Sequence, residues 1–169
     1  MTAISIDYLS KFSQHLNVKI SLNKKPRLKT MADVHTENTR SYNMSRIRSK
    51  DTTPELIVRR ALFAFGLRYR IHSKYLPGTP DIVLKRYKTV VFVHGCFWHG
   101  HKGCKYFVIP STRTEWWVQK IDRNKELDEI NRQKLIALGW RVMVINECQL
   151  KKNCIDETIN KFIQDLKGT

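Results

Sequence analysis

The chain has 169 residues, 41% of them hydrophobic, which is about one domain's length with enough apolar side chains for a real core. Its 31 Lys and Arg against 15 Asp and Glu leave a formal charge of +16, a field that gathers polyanions and makes nucleic acid the leading partner class on charge alone. No apolar run approaches bilayer-spanning length and the N-terminus lacks the charged-then-apolar layout of a secretory signal, so a membrane or exported protein is set aside and a cytosolic one is expected.

Residues 1–30 carry Lys11, Lys19, Lys24, Lys25, Arg27 and Lys29 against a single acid, Asp7, with little apolar periodicity. They read as a flexible basic extension, either an additional DNA-contacting arm or a segment upstream of an alternative start at Met31. From Asp33 to Lys50 the chain stays polar and basic, with Arg40, Arg46, Arg48 and Lys50 among Ser, Asn and Thr. Such an arm can follow phosphates and place an apolar side chain, Met44 or Ile47, in a groove. The plainer reading is a surface segment on which Met44 and Ile47 merely pack down.

Thr53-Pro54-Glu55 predicts a helix start, because Thr caps, Pro suits the first turn and Glu complements the positive helix end. That helix should run to about Phe65, where Gly66 can stop it. Glu55 is accounted for by the helix dipole alone, and a catalytic part is the competing reading. Leu67 to His72 alternates, which predicts a half-buried strand with Leu67, Tyr69 and Ile71 on one face. The turn Leu76-Pro77-Gly78-Thr79-Pro80 is rigid and aims Asp81 at the next strand. A carboxylate fixed in that way suits a divalent cation such as Mg²⁺.

Ile82–Leu84 and Thr89–Val93, joined by Lys85-Arg86-Tyr87-Lys88, predict a hairpin that brings Asp81 near His94. The loop that follows, Cys96-Phe97-Trp98-His99-Gly100-His101-Lys102-Gly103-Cys104, holds two thiols and two imidazoles within nine residues. That is the composition of half or more of a zinc site, with His101, Cys104 and Cys96 as ligands. Cys148, after the strand-like run Val142 to Ile145, is the best completion if the two strands are parallel neighbours, and Cys154 competes with it. In a reducing compartment metal binding outranks a disulfide for these four cysteines.

Phe97, Trp98, Trp116 and Trp117 form an aromatic set embedded in positive charge, which suits insertion between bases, and one of the tryptophan pair should pack inward. Thr114-Glu115 opens a helix whose apolar stripe is Leu127, Ile130, Leu135 and Leu138, ending at Gly139, and whose charged face reads as solvated. Trp140 to Ile145 reads as a buried strand. Ile155, Ile159, Phe162, Ile163 and Leu166 mark a closing amphipathic helix.

Pro80-Asp81, the run Phe92 to His99, Thr112-Arg113-Thr114-Glu115, Gly139 to Val142 and Glu147-Cys148 together closely resemble the Vsr family, the very-short-patch mismatch repair endonucleases. The resemblance spans about Met31 to Cys148, does not cover residues 1–30, and matches the last helix in kind only. It implies an α/β, restriction-endonuclease-like core over residues 31–169, a mixed central sheet flanked by helices with one structural zinc site, and residues 31–50 as the DNA-contacting arm. The implied activity is Mg²⁺-dependent nicking of duplex DNA on the 5′ side of the T of a T:G mismatch left by deamination of 5-methylcytosine.

Carried over by position, Asp81 is the Mg²⁺ carboxylate, joined by the backbone carbonyl of Val93. His99 is the general base, and His94 and Glu55 help to place metal, water or phosphate. Cys96, His101, Cys104 and Cys148 are the zinc ligands. Phe97, Trp98 and Trp117 are the wedge that opens the duplex, with Met44 entering from the minor groove. Two departures stand out: Val93 occupies a place where the family pattern has Thr, and the loop carries Gly100-His101-Lys102-Gly103 in place of a run of His, one residue longer. A monomer acting on bacterial nucleoid DNA in the cytoplasm is expected, since one nick requires only one active site, and a MutL-type mismatch repair protein is a candidate partner. Two other readings compete: a sequence-specific restriction-type endonuclease, and a non-catalytic zinc-stabilised DNA-binding module in which Asp81 is only a turn residue.

Overall fold

The structure, a computed structural model, describes residues 36–168. The expectations for residues 1–30, for Met31 and for the first residues of the arm lie outside that range. The described part of the arm is helical to Ser45 and irregular from there to Lys50. Helix α1 (Glu37–Ser45) starts at Thr36, whose hydroxyl accepts from the Thr39 N–H at 3.3 Å. Met44 and Ile47 stay exposed rather than packing down, at 39% and 50%.

A four-stranded mixed sheet organises the rest. Its order is β1 (Arg70–Ile71), β2 (Ile82–Leu84), β3 (Thr89–His94), β4 (Arg141–Asn146), with the first two pairings antiparallel and the last parallel. The β2–β3 connection is the expected one, a short 3-10 turn at Lys85–Tyr87 followed by Lys88 in the left-handed region at φ 47°.

Period-2 alternation sorts the side chains of these strands between two cores. Ile82, Leu84, Val91 and Ile145 face helices α2 (Thr53–Ala64) and α4 (Ile155–Lys167), meeting Val58, Leu62, Ile159, Phe162, Ile163 and Leu166. Val83 and Val90 face the other way, onto Leu135 of α3 (Thr114–Ala137), with Trp140 and Val142 beside them. Each fully buried side chain of this kind contributes about 1.5–3 kcal/mol of transfer free energy, so these two layers hold the sheet in place.

Three expectations need correction. The strand expected over 67–72 is only Arg70–Ile71, and Ile71 is 46% exposed while Leu67 is buried. It is an edge, so only its first apolar residues find a core to enter. The stripe expected on α3 is mostly outward: Leu127, Ile130 and Leu138 are exposed, and only Ile121 and Leu135 of the helix are buried. The face that includes both runs Ile121, Asn124, Asp128, Asn131, Leu135, spaced alternately by three and four residues, so its middle is polar. Finally, β4 is not wholly buried, because Val144 is 44% exposed. The reason for the last two is shared: between its two anchor points α3 stands away from the sheet and walls a cleft lined by Phe92, Val144, Asn124 and Asp128.

Candidate active site

That cleft has a volume of about 1390 Å³, beyond the roughly 300–1,000 Å³ of a small-molecule pocket, and it is open along the arm residues Met44, Ile47, Arg48 and Lys50. Its floor is the end of the hairpin. Antiparallel pairing of Ile82 with Val91 puts Asp81 beside the last residues of β3, and the Val93 N–H donates to Asp81 Oδ2 at 2.7 Å. The Val93 side chain packs on the core cluster of α2 and α4, so the group that meets Asp81 at this position is backbone. Burial pushes the Asp81 carboxyl above its ordinary value against the pull of the Val93 N–H, and the nearby charge of Glu55 adds to the rise. A carboxylate disfavoured in this way gains from a cation at its free oxygen.

His94 and His99 also face the cleft, their rings stacked at 3.7 Å with planes 7° apart. Burial first, and the neighbouring His99 second, push His94 down to about 4, so it is neutral at pH 7. His99 Nδ1 lies 2.6 Å from Asp128 Oδ2. An ionised carboxylate only accepts, so Nδ1 carries the proton and Nε2 is left as the basic nitrogen. Asn124, one turn earlier on the same face of α3, donates to the Trp98 carbonyl at 3.0 Å and ties the loop to the helix.

Glu55 is 3% exposed and both of its oxygens are engaged. It accepts from the Asp51 N–H (3.1 Å), the Thr52 N–H (3.4 Å) and hydroxyl (2.8 Å), and Arg59 Nη2 (2.7 Å). Thr52, rather than Thr53, is therefore the residue that caps α2.

A second cluster lies at the far side of the loop. Strands β3 and β4 run parallel and end with His94 opposite Asn146, so Cys96 and Cys148 each come two residues beyond a strand end. The loop returns His101 and Cys104 to the same point, and the ligand atoms of all four lie within 4.8 Å of one another. His101 Nδ1 is 3.6 Å from Cys96 Sγ and 3.4 Å from Cys148 Sγ. Burial holds the free Cys96 thiol up to about 12, and a soft cation that takes thiolates would reverse that cost. Cys154 is exposed and outside this set.

The turn between the clusters depends on Gly100, which is buried with φ +58°. A Cβ there would lie 2.8 Å from Ile121 Cγ2, in the core, and 2.2 Å from Lys125 Cε. Gly100→Ala should therefore cost about 2–4 kcal/mol, from left-handed strain plus overpacking, read by denaturant unfolding. An unchanged midpoint would mean that the loop re-forms without this close approach.

Phe97, Trp98 and Trp117 make a mutual edge-to-face cluster with centroids 5.2, 5.2 and 6.0 Å apart. All three are half-buried and shelter one another. Of the tryptophan pair, Trp117 turns inward and Trp116 is 53% exposed.

Sequence reasoning missed Asp128, Asn124, Asp51, Arg59 and His72, although all but Arg59 line the cleft directly. The signal available for the first two was a polar residue at each inner position of α3, which was assigned instead to a solvated face.

Comparison with known proteins adds a family. The profile described as DNA mismatch endonuclease Vsr matches residues 32–105. The chain is 46% identical over 138 residues to the type II nicking enzyme V.NmeAIP of Neisseria meningitidis, covering 81% of this chain and 98% of that protein. It is 42% identical over 137 residues to the DNA mismatch endonuclease Vsr of Escherichia coli, covering 80% of this chain and 87% of that one. The catalytic domain of a homing endonuclease superposes with a TM-score of 0.42 at 24% identity, over 68% of this chain and 93% of that domain.

Proposed function

The chain belongs to the Vsr family of DNA mismatch endonucleases, and from that membership we propose that it nicks duplex DNA 5′ of the T of a T:G mismatch. The observation that carries the reading is one cleft that holds Asp81, the stacked pair His94 and His99, and Asp128 behind His99, bordered by a basic arm. Relatives described as nicking enzymes support a single-strand cut, for which one active site and a monomer suffice.

In this mechanism Asp81 and the Val93 carbonyl would hold Mg²⁺, which would supply a Lewis acid for the developing phosphate charge. Asp128 holds the His99 Nδ1 proton, so that Nε2 takes a proton from the attacking water. His94, neutral beside it, can accept or donate a hydrogen bond without adding charge. Glu55 acts from behind Asp81 through its charge, since its oxygens are already engaged. Cys96, His101, Cys104 and Cys148 would hold a structural zinc, which would tie the loop to the end of β4. Phe97, Trp98 and Trp117 enter the duplex as a unit, opposed by Met44 from α1, and a mispaired base opens at lower cost than a paired one. The mixed sheet with helices on both faces fits a restriction-endonuclease-like core within residues 31–169, with the arm at 31–50 and the extension before it. The setting is bacterial nucleoid DNA in the cytoplasm, and among the described residues no helix is long and apolar enough to cross a membrane. A MutL-type protein is the partner class to test once nicking is established.

The experiment pairs end-labelled T:G and T:A duplexes, over a panel of cytosine-methyltransferase contexts, with wild-type and His99→Ala protein in Mg²⁺. The expected result is one nick 5′ of the mismatched T, slowed by roughly 10²–10⁴ in the variant. Equal cutting of the T:A duplexes would replace the mismatch reading with a restriction-type one, and binding without cutting in every context would leave a DNA-binding module.

A further inference from the structure

Position 59 belongs to the buried face of α2, with Glu55, Val58 and Leu62, yet it holds an arginine. The Arg59 side chain is only 8% exposed, and its Nε is buried with no acceptor among the described residues. A buried donor left unmatched costs stability, so packing by itself does not account for this side chain. What it supplies is reach. Nη2 donates to Glu55 Oε2 at 2.7 Å and lies 2.9 Å from His72 Nε2, which fixes the guanidinium, and Nη1 donates outward to Asp51 Oδ1 at 2.5 Å.

Asp51 is where the arm joins the body of the protein. Its backbone is left-handed at φ 53°, a conformation that Asp tolerates better than most residues, and its N–H donates to Glu55 Oε2 at 3.1 Å. Ahead of it the described side chains of residues 36–50 are exposed. Among the described residues, the hydrogen bonds and ring contacts of 36–50 stay within that segment. The polar tie between arm and body is therefore at the root, through Asp51.

We propose that Arg59 and Asp51 form a latch that sets the arm across the mouth of the cleft, with Met44, Ile47, Arg48 and Lys50 preorganised where the duplex enters. The proposal rests on the reading of the arm as a DNA-contacting element, and both members are positioning residues that act through it. A latched arm meets its ordering cost before DNA arrives. An arm loose at its root holds the competent position for only a fraction of the time, and apparent affinity falls by that fraction. Charge alone predicts the opposite: Asp51 is 57% exposed and lines the cleft, so removing its carboxylate should by itself tighten binding to a polyanion.

The test titrates a labelled T:G duplex with the full chain, without Mg²⁺, by fluorescence anisotropy, and adds single-turnover nicking at saturating protein and thermal unfolding. Asp51→Gly removes the carboxylate and suits the left-handed backbone, and it should weaken duplex binding about tenfold. The saturating nicking rate should stay within about threefold. Melting temperature should change little, because Arg59 keeps Glu55 as its partner. Asp51→Asn retains an acceptor for Nη1 and should fall between wild type and Asp51→Gly. The triple variant Arg46→Gln/Arg48→Gln/Lys50→Gln probes the arm itself, and should weaken binding and flatten its salt dependence. Adding Asp51→Gly to the triple variant should cost far less than in the wild type, since the latch works only through the arm. Unchanged or tighter binding by Asp51→Gly, with the triple variant weakened, overturns the latch and leaves the arm reading standing. A triple variant that binds like wild type overturns the arm reading and the latch with it. A full effect of Asp51→Gly on top of the triple variant, or a saturating nicking rate that falls as far as the affinity, also overturns the latch and makes Asp51 part of the site itself.

Discussion

Asp81→Ala is expected to lower the single-turnover nicking rate on a T:G duplex by about 10³ or more, while duplex affinity in metal-free buffer stays within about threefold. A bound metal supplies several kcal/mol of transition-state stabilisation, and about 1.4 kcal/mol is a factor of ten. The affinity should hold because it comes from a chain with formal charge +16 and from the basic arm beside the cleft, and removing one carboxylate leaves those phosphate contacts intact. Alanine also strips the Val93 N–H of its acceptor, so Asp81→Asn is the companion variant: its amide oxygen can still accept, and it should lose nicking to the same extent with little change in stability. Nicking within tenfold of wild type in both variants would remove Asp81 from the catalytic role. Loss of nicking with retained binding would remove the competing view of Asp81 as a turn residue in a binding module.

Cys148→Ser should release zinc and lower stability together, by about 4 kcal/mol or more, the class of effect that follows loss of a structural metal. Cys148 and Cys96 leave parallel strands two residues beyond a paired position, so a metal held between them and the His101–Cys104 loop links the sheet to the segment that carries His99. Without the fourth ligand the His101 Nδ1 and the Cys96 and Cys104 thiols are left to repack or to bind water. The measurement is metal content by mass spectrometry on the purified variant alongside its thermal unfolding, with Cys154→Ser as control. Cys154 lies outside the cluster, so that control should keep both zinc and melting temperature. Full zinc occupancy in Cys148→Ser would sink the ligand assignment.

What the sequence determined by itself were the features that depend on neighbours along the chain. The capped start near Thr53 and the stop at Gly66 follow from backbone chemistry at those residues, and the structure has both. The alternation of Ile82 to Leu84 and of Thr89 to Val93 follows from the pleat, so the hairpin and the approach of Asp81 to the end of β3 were legible. The convergence of Cys148 on the loop was legible only on the condition that two strands lie parallel and adjacent, a condition the sheet meets.

Tertiary structure decided what periodicity cannot carry, namely which face of an element meets something and what it meets. Apolar spacing on α3 pointed to Leu127 and Ile130, yet the helix turns Asn124 and Asp128 inward, because a cleft and not a core lies beneath its middle turns. The same uncertainty hid the partners of His99 and His72. Asp128 follows His99 by 29 positions and His72 follows Arg59 by 13, so no local rule joins them. A hydrogen bond between distant residues exists only once packing against the sheet has fixed both backbones, and for that reason the chemistry of single residues could be read from this sequence while their pairing could not.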